Sequence, residues 1–155
     1  MSSSLRDPLY RAATLTFEEM ALLYATPLQE PIDMPAAAEV AVAFTGPLCG
    51  RVVVRTYGGV LPVLAANLLG EDDEPPQRLQ ADALGEVANV ICGNLLPAIG
   101  GPEAVFRLAA PSMGDTTAGG GEFPDLPVAD VSLDLECGRA QILLFLTDGG
   151  PGSSP

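Results

Sequence analysis

The chain has 155 residues, 48% of them hydrophobic, which is the size of a single domain with enough apolar side chains for a core. Its formal net charge of −13, from 7 basic and 20 acidic residues, disfavours nucleic acid as a partner because a phosphate backbone would be repelled. The chain contains no histidine, which excludes Ser-His-Asp and Cys-His nucleophiles, histidine acid–base chemistry and most zinc sites.

Neither a membrane span nor a secretory signal is expected. No apolar run reaches about 18 residues, and the start lacks a basic segment followed by an apolar one. Cys49, Cys92 and Cys137 are odd in number and far apart, which favours reduced thiols over a disulfide framework. We therefore expect a cytoplasmic protein.

The first half is predicted to contain a helix followed by a β-hairpin. Thr14 or Thr16 is a suitable helix cap, and the hairpin strands are rich in valine. A proline-rich loop separates the helix from the hairpin. The predicted elements are a polar N-terminal arm at 1–13, a helix at 14–24 and strands at 39–45 and 51–57.

The second half repeats this order after a short helix at 60–69, which Gly70 is predicted to end. The acidic run at 71–76 is interpreted as a solvated connector rather than a cation site. Its remaining predicted elements are a central helix at 80–96, a strand at 103–110 closed by Pro111, a glycine-rich loop at 115–127, strands at 131–136 and 139–147, and a flexible tail at 148–155.

These elements predict one α+β domain at 14–147, in which helices pack on an antiparallel β-sheet. A helix followed by a hairpin in each half indicates a weak internal duplication, roughly 14–57 and 80–147. Strand 139–147 is apolar on both faces, so it is expected centrally in the sheet or against a partner.

The central helix carries an apolar side and a polar side when it is read at about 100° per residue. Leu84, Val87, Ala88, Ile91 and Leu95 share the apolar side. Four residues share the opposite side: Asp82, Glu86, Asn89 and Gly93. Two glycines inside the helix, each costing about 1 kcal/mol relative to alanine, indicate a packing or functional reason.

The pattern Asp-x3-Glu-x2-Asn-x21-Pro is met by Asp82, Glu86, Asn89 and Pro111. It resembles the signature of the CheC/CheX/FliY family of chemotaxis phosphatases. The flanking blocks FTGPLCGRVVV, LAANLLGED and ALGEVANVICGNLLPAIGG are similar to the single-site, CheX-like branch. The resemblance covers about residues 38–147 and implies a CheC-like fold.

The resemblance also implies a substrate and site roles. The substrate would be the phosphorylated aspartate of a CheY-like receiver domain, in chemotaxis or two-component signalling. Glu86 would bridge to a receiver lysine, and Asn89 would hold a water in line with phosphorus. Asp82, Gly93 and Pro111 would shape the site. This chain would need no cofactor or metal, because Mg²⁺ would belong to the receiver.

Other interpretations remain open at this stage. Glu86 and Asn89 could form a solvated helix face, Pro111 could simply end a strand, and Cys92 is expected to be an inert thiol. In the first half Glu18 is followed by Ala21 where an asparagine would complete a second site, so one site per chain is expected.

Two further expectations concern partners. The alternative function is a non-catalytic receiver-binding or flagellar-motor-associated module on the same fold. The resemblance also implies a homodimer that pairs through the sheets, for which the apolar strand 139–147 would suit a sheet edge or interface.

Overall fold

The computed structural model describes residues 2–114 and 126–147, with side chains from Leu5 onward. Most of the predicted loop at 115–127 and the predicted tail at 148–155 lie outside these ranges. The helices are α1 (Ser2–Ala21), α2 (Val60–Leu69) and α3 (Gln77–Gly100). The strands are β1 (Thr26–Pro27), β2 (Ala38–Thr45), β3 (Gly50–Gly58), β4 (Arg107–Leu108), β5 (Ser112–Met113), β6 (Ala129–Asp134) and β7 (Gly138–Leu146).

The strands form one antiparallel sheet in the order β1-β6-β7-β3-β2-β4, and β5 also pairs with β2. The long strands β3 and β7 pair at its centre, from Gly50 opposite Leu146 to Gly58 opposite Gly138. The predicted α+β class is therefore confirmed. β7 is a central strand, as expected for strand 139–147, and not the sheet edge suggested for a dimer.

The three helices cover one face of the sheet, where alternate strand residues such as Val42, Val54 and Ile142 are fully buried against them. The opposite face carries a smaller apolar cluster of Val53, Leu143 and Phe145. The guanidinium carbon of Arg51 lies 4.1 Å from the centroid of the Phe145 ring, which is cation–π geometry. The main core thus lies between the helices and the sheet.

The internal duplication is visible as an exchange of partners between the halves. α1 packs on β6 of the second half, and α3 packs on β2 of the first. The short strands follow the same rule, because β1 pairs with β6 whereas β5 pairs with β2. The helix of each half packs on a strand of the other half, so the two halves form one folding unit.

α1 begins much earlier than predicted, and residues 2–13 are helical rather than an arm. Its buried side includes Leu9, Ala13 and Phe17, a stripe in which small alanines replace larger residues and weaken the sequence signal. Thr14 and Thr16 lie inside the helix and donate hydrogen bonds to backbone carbonyls one turn earlier, so neither is a cap.

The strand predicted at 103–110 shrinks to the two residues of β4 because Phe106 turns inward. Its ring packs edge-on against Phe44, with centroids 6.0 Å apart. A Cβ built on either Gly46 or Gly100 would lie 2.7 Å from this ring, so the two glycines make room for it. The prediction for α2 agrees with the structure at both ends, and Gly70 ends it in the left-handed region at φ 68°.

α3 extends beyond its predicted bounds at both ends, through Pro97 to Gly100. By length and a mean hydropathy of 1.3 it could cross a membrane, but half of that window is buried inside the protein. Asn94 donates to the Thr16 hydroxyl of α1 at 3.2 Å, and Gln80 donates to the Pro75 carbonyl at 2.7 Å. These contacts identify α3 as a helix of the protein core.

Candidate functional site

α3 presents the predicted polar side to solvent while its other side is buried. Asp82, Glu86 and Gly93 are exposed and Asn89 is half-buried. All five residues predicted for the apolar side are fully buried in the core. The 3.6-residue period therefore places a carboxylate and a carboxamide side by side on a rigid element, about one turn apart.

Pro111 joins this face through the sheet. It immediately precedes β5, whose Met113 pairs with Val40 of β2. A Cβ built on Gly85 would lie 3.1 Å from the Cβ of Pro111 and 3.2 Å from its Cγ. Gly85 is therefore the position at which α3 allows the β5 segment to approach, and this contact explains one of the two helix glycines.

A cleft of about 280 Å³ opens between α3 and the β5 segment. Residues from both elements line it: Ala81, Asp82, Gly85, Glu86, Asn89, Pro111 and Met113. The four residues of the Asp-Glu-Asn-Pro pattern thus share one concave site. Gly93 is not part of this lining and lies one helical turn beyond Asn89 on the same side of α3.

The side-chain oxygen of Asn89 is shielded by its surroundings, and no donor from the described residues bonds to it. Leaving such an oxygen without a hydrogen bond costs roughly 1–3 kcal/mol in a folded protein. A native chain keeps an orphaned acceptor of this kind where strain, function or a bound molecule explains it. Here the acceptor belongs to a side chain that lines the cleft.

Cys92 lies next to the polar side in sequence but points into the core and is fully buried. Burial raises the pKa of its thiol to about 12 because the charged thiolate is poorly solvated there. A thiol that stays protonated near neutral pH is a poor nucleophile. This burial and the raised pKa agree with the interpretation of Cys92 as an inert thiol.

No group of three or more cysteine or acidic side chains within residues 2–114 and 126–147 is arranged to hold a metal ion. The acidic run at 71–74 is exposed, and its last residue, Glu74, accepts a hydrogen bond from Gln80 at 3.2 Å. Its placement agrees with a solvated connector at the start of α3.

The structure adds Ala81, Gly85 and Met113 to the predicted set. Met113 is 45% exposed and forms the wall of the cleft opposite α3. The sequence signal was slight: a methionine two residues after Pro111 in a segment too short to show alternation. Only the pairing of β5 with β2 turns Met113 toward the helix.

Glu18 and Ala21 do not occupy an equivalent place in the first half. Ala21 is the last residue of α1 and is fully buried, whereas Asn89 lies in the middle of α3 beside a cleft. Two larger clefts, of about 390 and 520 Å³, lie near the β1 edge and share four lining residues: Leu28, Glu30, Pro31 and Ile32. Neither contains a residue of the Asp-Glu-Asn-Pro pattern.

The chain matches the family model for the chemotaxis phosphatase CheX over residues 39–120, which is more than half of its length and includes all four residues of the pattern. No curated protein matches it by sequence.

Several solved structures share the fold. The chemotaxis protein CheX from Vibrio vulnificus superposes with a TM-score of 0.73 at 18% identity, over 95% of this chain and 99% of that one. CheX from Desulfovibrio desulfuricans gives 0.70 at 20% identity, over 93% and 99%. CheX in a CheX–CheY–BeF3–Mg²⁺ complex from Borrelia burgdorferi gives 0.70 at 19% identity, over 90% and 96%.

Proposed function

The chain belongs to the CheX family of chemotaxis phosphatases, and we propose that it hydrolyses the aspartyl phosphate of a CheY-like receiver domain. One observation carries the proposal. The cleft between α3 and β5 contains all four residues of the family pattern, and the asparagine among them has an acceptor oxygen that no described group satisfies.

In this proposal Asn89 orients the attacking water. Phosphoryl transfer to water depends mainly on positioning and charge stabilisation, so the enzyme need not supply a strong base. A carboxamide oxygen can accept one hydrogen of the water and aim its lone pair at phosphorus. The acceptor of Asn89 is shielded in the structure and has no partner among the described residues, so the amide can turn toward a water without breaking one of their hydrogen bonds.

Glu86 engages the receiver by charge. Its carboxylate is exposed one turn before Asn89, where it can meet a lysine beside the acyl phosphate. Asp82 and Pro111 shape the cleft and take no part in bond making. The Mg²⁺ that neutralises the phosphoryl oxygens is supplied by the receiver, and the Borrelia complex is a case in which a CheX and a CheY meet with Mg²⁺ present.

The test uses purified protein and CheY-like receivers encoded in the same genome, phosphorylated with a small-molecule donor. Wild-type protein should accelerate loss of the phosphoryl group well above spontaneous decay. Asn89→Ala should lose most of that acceleration, by about 100-fold or more, because the water is no longer oriented. Glu86→Gln should mainly weaken binding, since the side chain keeps its shape and loses its charge.

Val63→Ala, at an exposed position on α2, is the matched control and should behave as wild type. Receivers that decay at their spontaneous rate in the presence of the protein would overturn the proposal. Tight binding without turnover would instead favour the non-catalytic receiver-binding module.

A further inference from the structure

The second helix glycine, Gly93, is not explained by packing against the residues that the structure describes. It lies in the interior of α3, where glycine is destabilising relative to alanine. A Cβ built on it meets no atom of residues 2–114 and 126–147 within 4 Å, so alanine would fit without displacing any of them. Gly85 and Gly100 differ in this respect, because a Cβ there would press on Pro111 and Phe106 respectively. The chain therefore keeps a destabilising residue that packing among its described residues does not require.

Gly93 continues the exposed side of the helix that carries the candidate site. It follows Asn89 by four residues and Glu86 by seven, so the three stack along one side of α3. Val90 and Pro97 flank it and are exposed. We name these five residues the docking ridge: Glu86, Asn89, Val90, Gly93 and Pro97.

The reach of Asn89 sets how close a partner must come. An asparagine side chain is short, and its oxygen must approach within about 3 Å of the water that it orients. Residues four apart on a helix have Cβ atoms roughly 5–6 Å from each other. A side chain at position 93 would therefore project beside the asparagine and hold the rim of a partner's site away from the helix backbone.

We propose that Gly93 is the position at which the receiver lies directly against the backbone of α3. The proposal rests on the proposed function and extends it from the cleft to a contact surface along the docking ridge. The occupant is the rim of the receiver's phosphorylated site, because this ridge is continuous with the cleft that holds Asn89. The exposed carboxylate of Glu86 also offers the charge that a basic group beside an acyl phosphate would attract. Gly93 is then a positioning residue that makes no chemical contact of its own.

The experiment compares Gly93→Ala and Gly93→Leu with wild type, and uses Ala98→Leu as the matched control. Ala98 is exposed on the same helix, about 140° away from Gly93 in the helical projection. Gly93→Ala should raise the melting temperature by about 2–4 °C, because alanine favours the helix and no neighbour is displaced. The same variant should lower kcat/KM for the phosphorylated receiver, and Gly93→Leu should lower it by about 100-fold, mainly through KM. Ala98→Leu should leave kcat/KM unchanged.

The outcomes separate this inference from the proposed function. If Gly93→Leu retains the kcat/KM of the wild type, the inference is overturned and the proposed function stands. If wild-type protein binds a beryllofluoride-loaded receiver without hydrolysing the phosphorylated form, the proposed function falls. The inference then stands if Gly93→Leu binds that receiver more weakly than wild type does, and it is overturned if the two affinities are equal. If wild-type protein neither binds nor hydrolyses any receiver of its genome, both are overturned. Should Gly93→Leu fail to fold, Gly93→Ala decides the inference. A higher melting temperature together with a lower kcat/KM supports it, and an unchanged kcat/KM overturns it.

Discussion

Pro111 packs directly on Gly85, so closely that a Cβ on the glycine would lie 3.1 Å from the Cβ of the proline. This contact joins the helix that carries Glu86 and Asn89 to the segment that forms the opposite wall of the cleft. It sets the width of the cleft through van der Waals contact between two residues that carry no charge.

Replacing Gly85 should therefore separate the helix from the β5 segment. Gly85→Val should lower the free energy of unfolding by about 1–3 kcal/mol through overpacking, measured by urea denaturation. Gly85→Ala should be close to neutral in stability, because improved helix propensity offsets a mild clash, yet it should reduce hydrolysis by widening the cleft. A Gly85→Val variant as stable as wild type would show that the contact is looser than described.

Asn89→Ala should stabilise the fold while removing activity. The substitution deletes a buried acceptor without a described partner and introduces the best helix former at an interior helix position. We expect the free energy of unfolding to rise by about 0.5–1.5 kcal/mol in urea denaturation. Val90→Ala, at the neighbouring exposed position, should change stability by less than about 0.5 kcal/mol. A loss of stability in Asn89→Ala would mean that the amide makes a structural hydrogen bond.

Cys92 should make the fold less stable at alkaline pH. Its thiol has a pKa of about 12 in the folded protein, whereas an unfolded cysteine titrates near 8.5. Above the unfolded pKa the unfolded state binds fewer protons than the native state, so stability falls as pH rises. The slope should approach about 1.4 kcal/mol per pH unit between pH 9 and 12.

The measurement for Cys92 is a series of urea denaturation curves from pH 7 to 11 on wild type and Cys92→Ala. At pH 7 the variant should be less stable than wild type, because the substitution leaves a small cavity. As pH rises it should lose less stability than wild type does. The burial that raises the pKa of Cys137 and Tyr57 acts in the same direction in both proteins, so the difference between them isolates Cys92. Equal losses of stability in the two proteins as pH rises would contradict the raised pKa of Cys92.

Leu9 tests whether the beginning of α1 belongs to the core. Its side chain is fully buried although it lies in the stretch for which the sequence predicts a polar arm. Leu9→Ala should lower the free energy of unfolding by about 2–5 kcal/mol, whereas the exposed Leu15→Ala should cost much less. Equal effects of the two substitutions in thermal unfolding would favour the arm.

Homodimerisation stays a prediction. The sheet order moves the expected contact between the two copies away from an edge at β7. β7 is internal, and the sheet ends at the two-residue strands β1 and β4, with β5 also pairing with β2. Sedimentation equilibrium at increasing concentration should show a dimer. Exclusive monomer at high concentration would count against it.

The sequence alone predicted the fold class, both sides of α3 and the limits of α2, because these depend on local periodicity and on residues such as Gly70. It also placed Asp82, Glu86 and Asn89 on one side of a helix, since a 3.6-residue repeat determines that at any tertiary position. The family resemblance added Pro111 to this set, with no physical account of its role.

Tertiary structure alone decided what faces that helix. Pro111 and Met113 reach α3 because β5 pairs with a strand of the other half, a contact between segments far apart in sequence that no local pattern specifies. The early start of α1 was decided in the same way, since burial against distant elements overrides weak local signals. The local sequence was thus enough to predict which residues share the helix face. The cleft beside that face depends on strand pairing across the whole sheet.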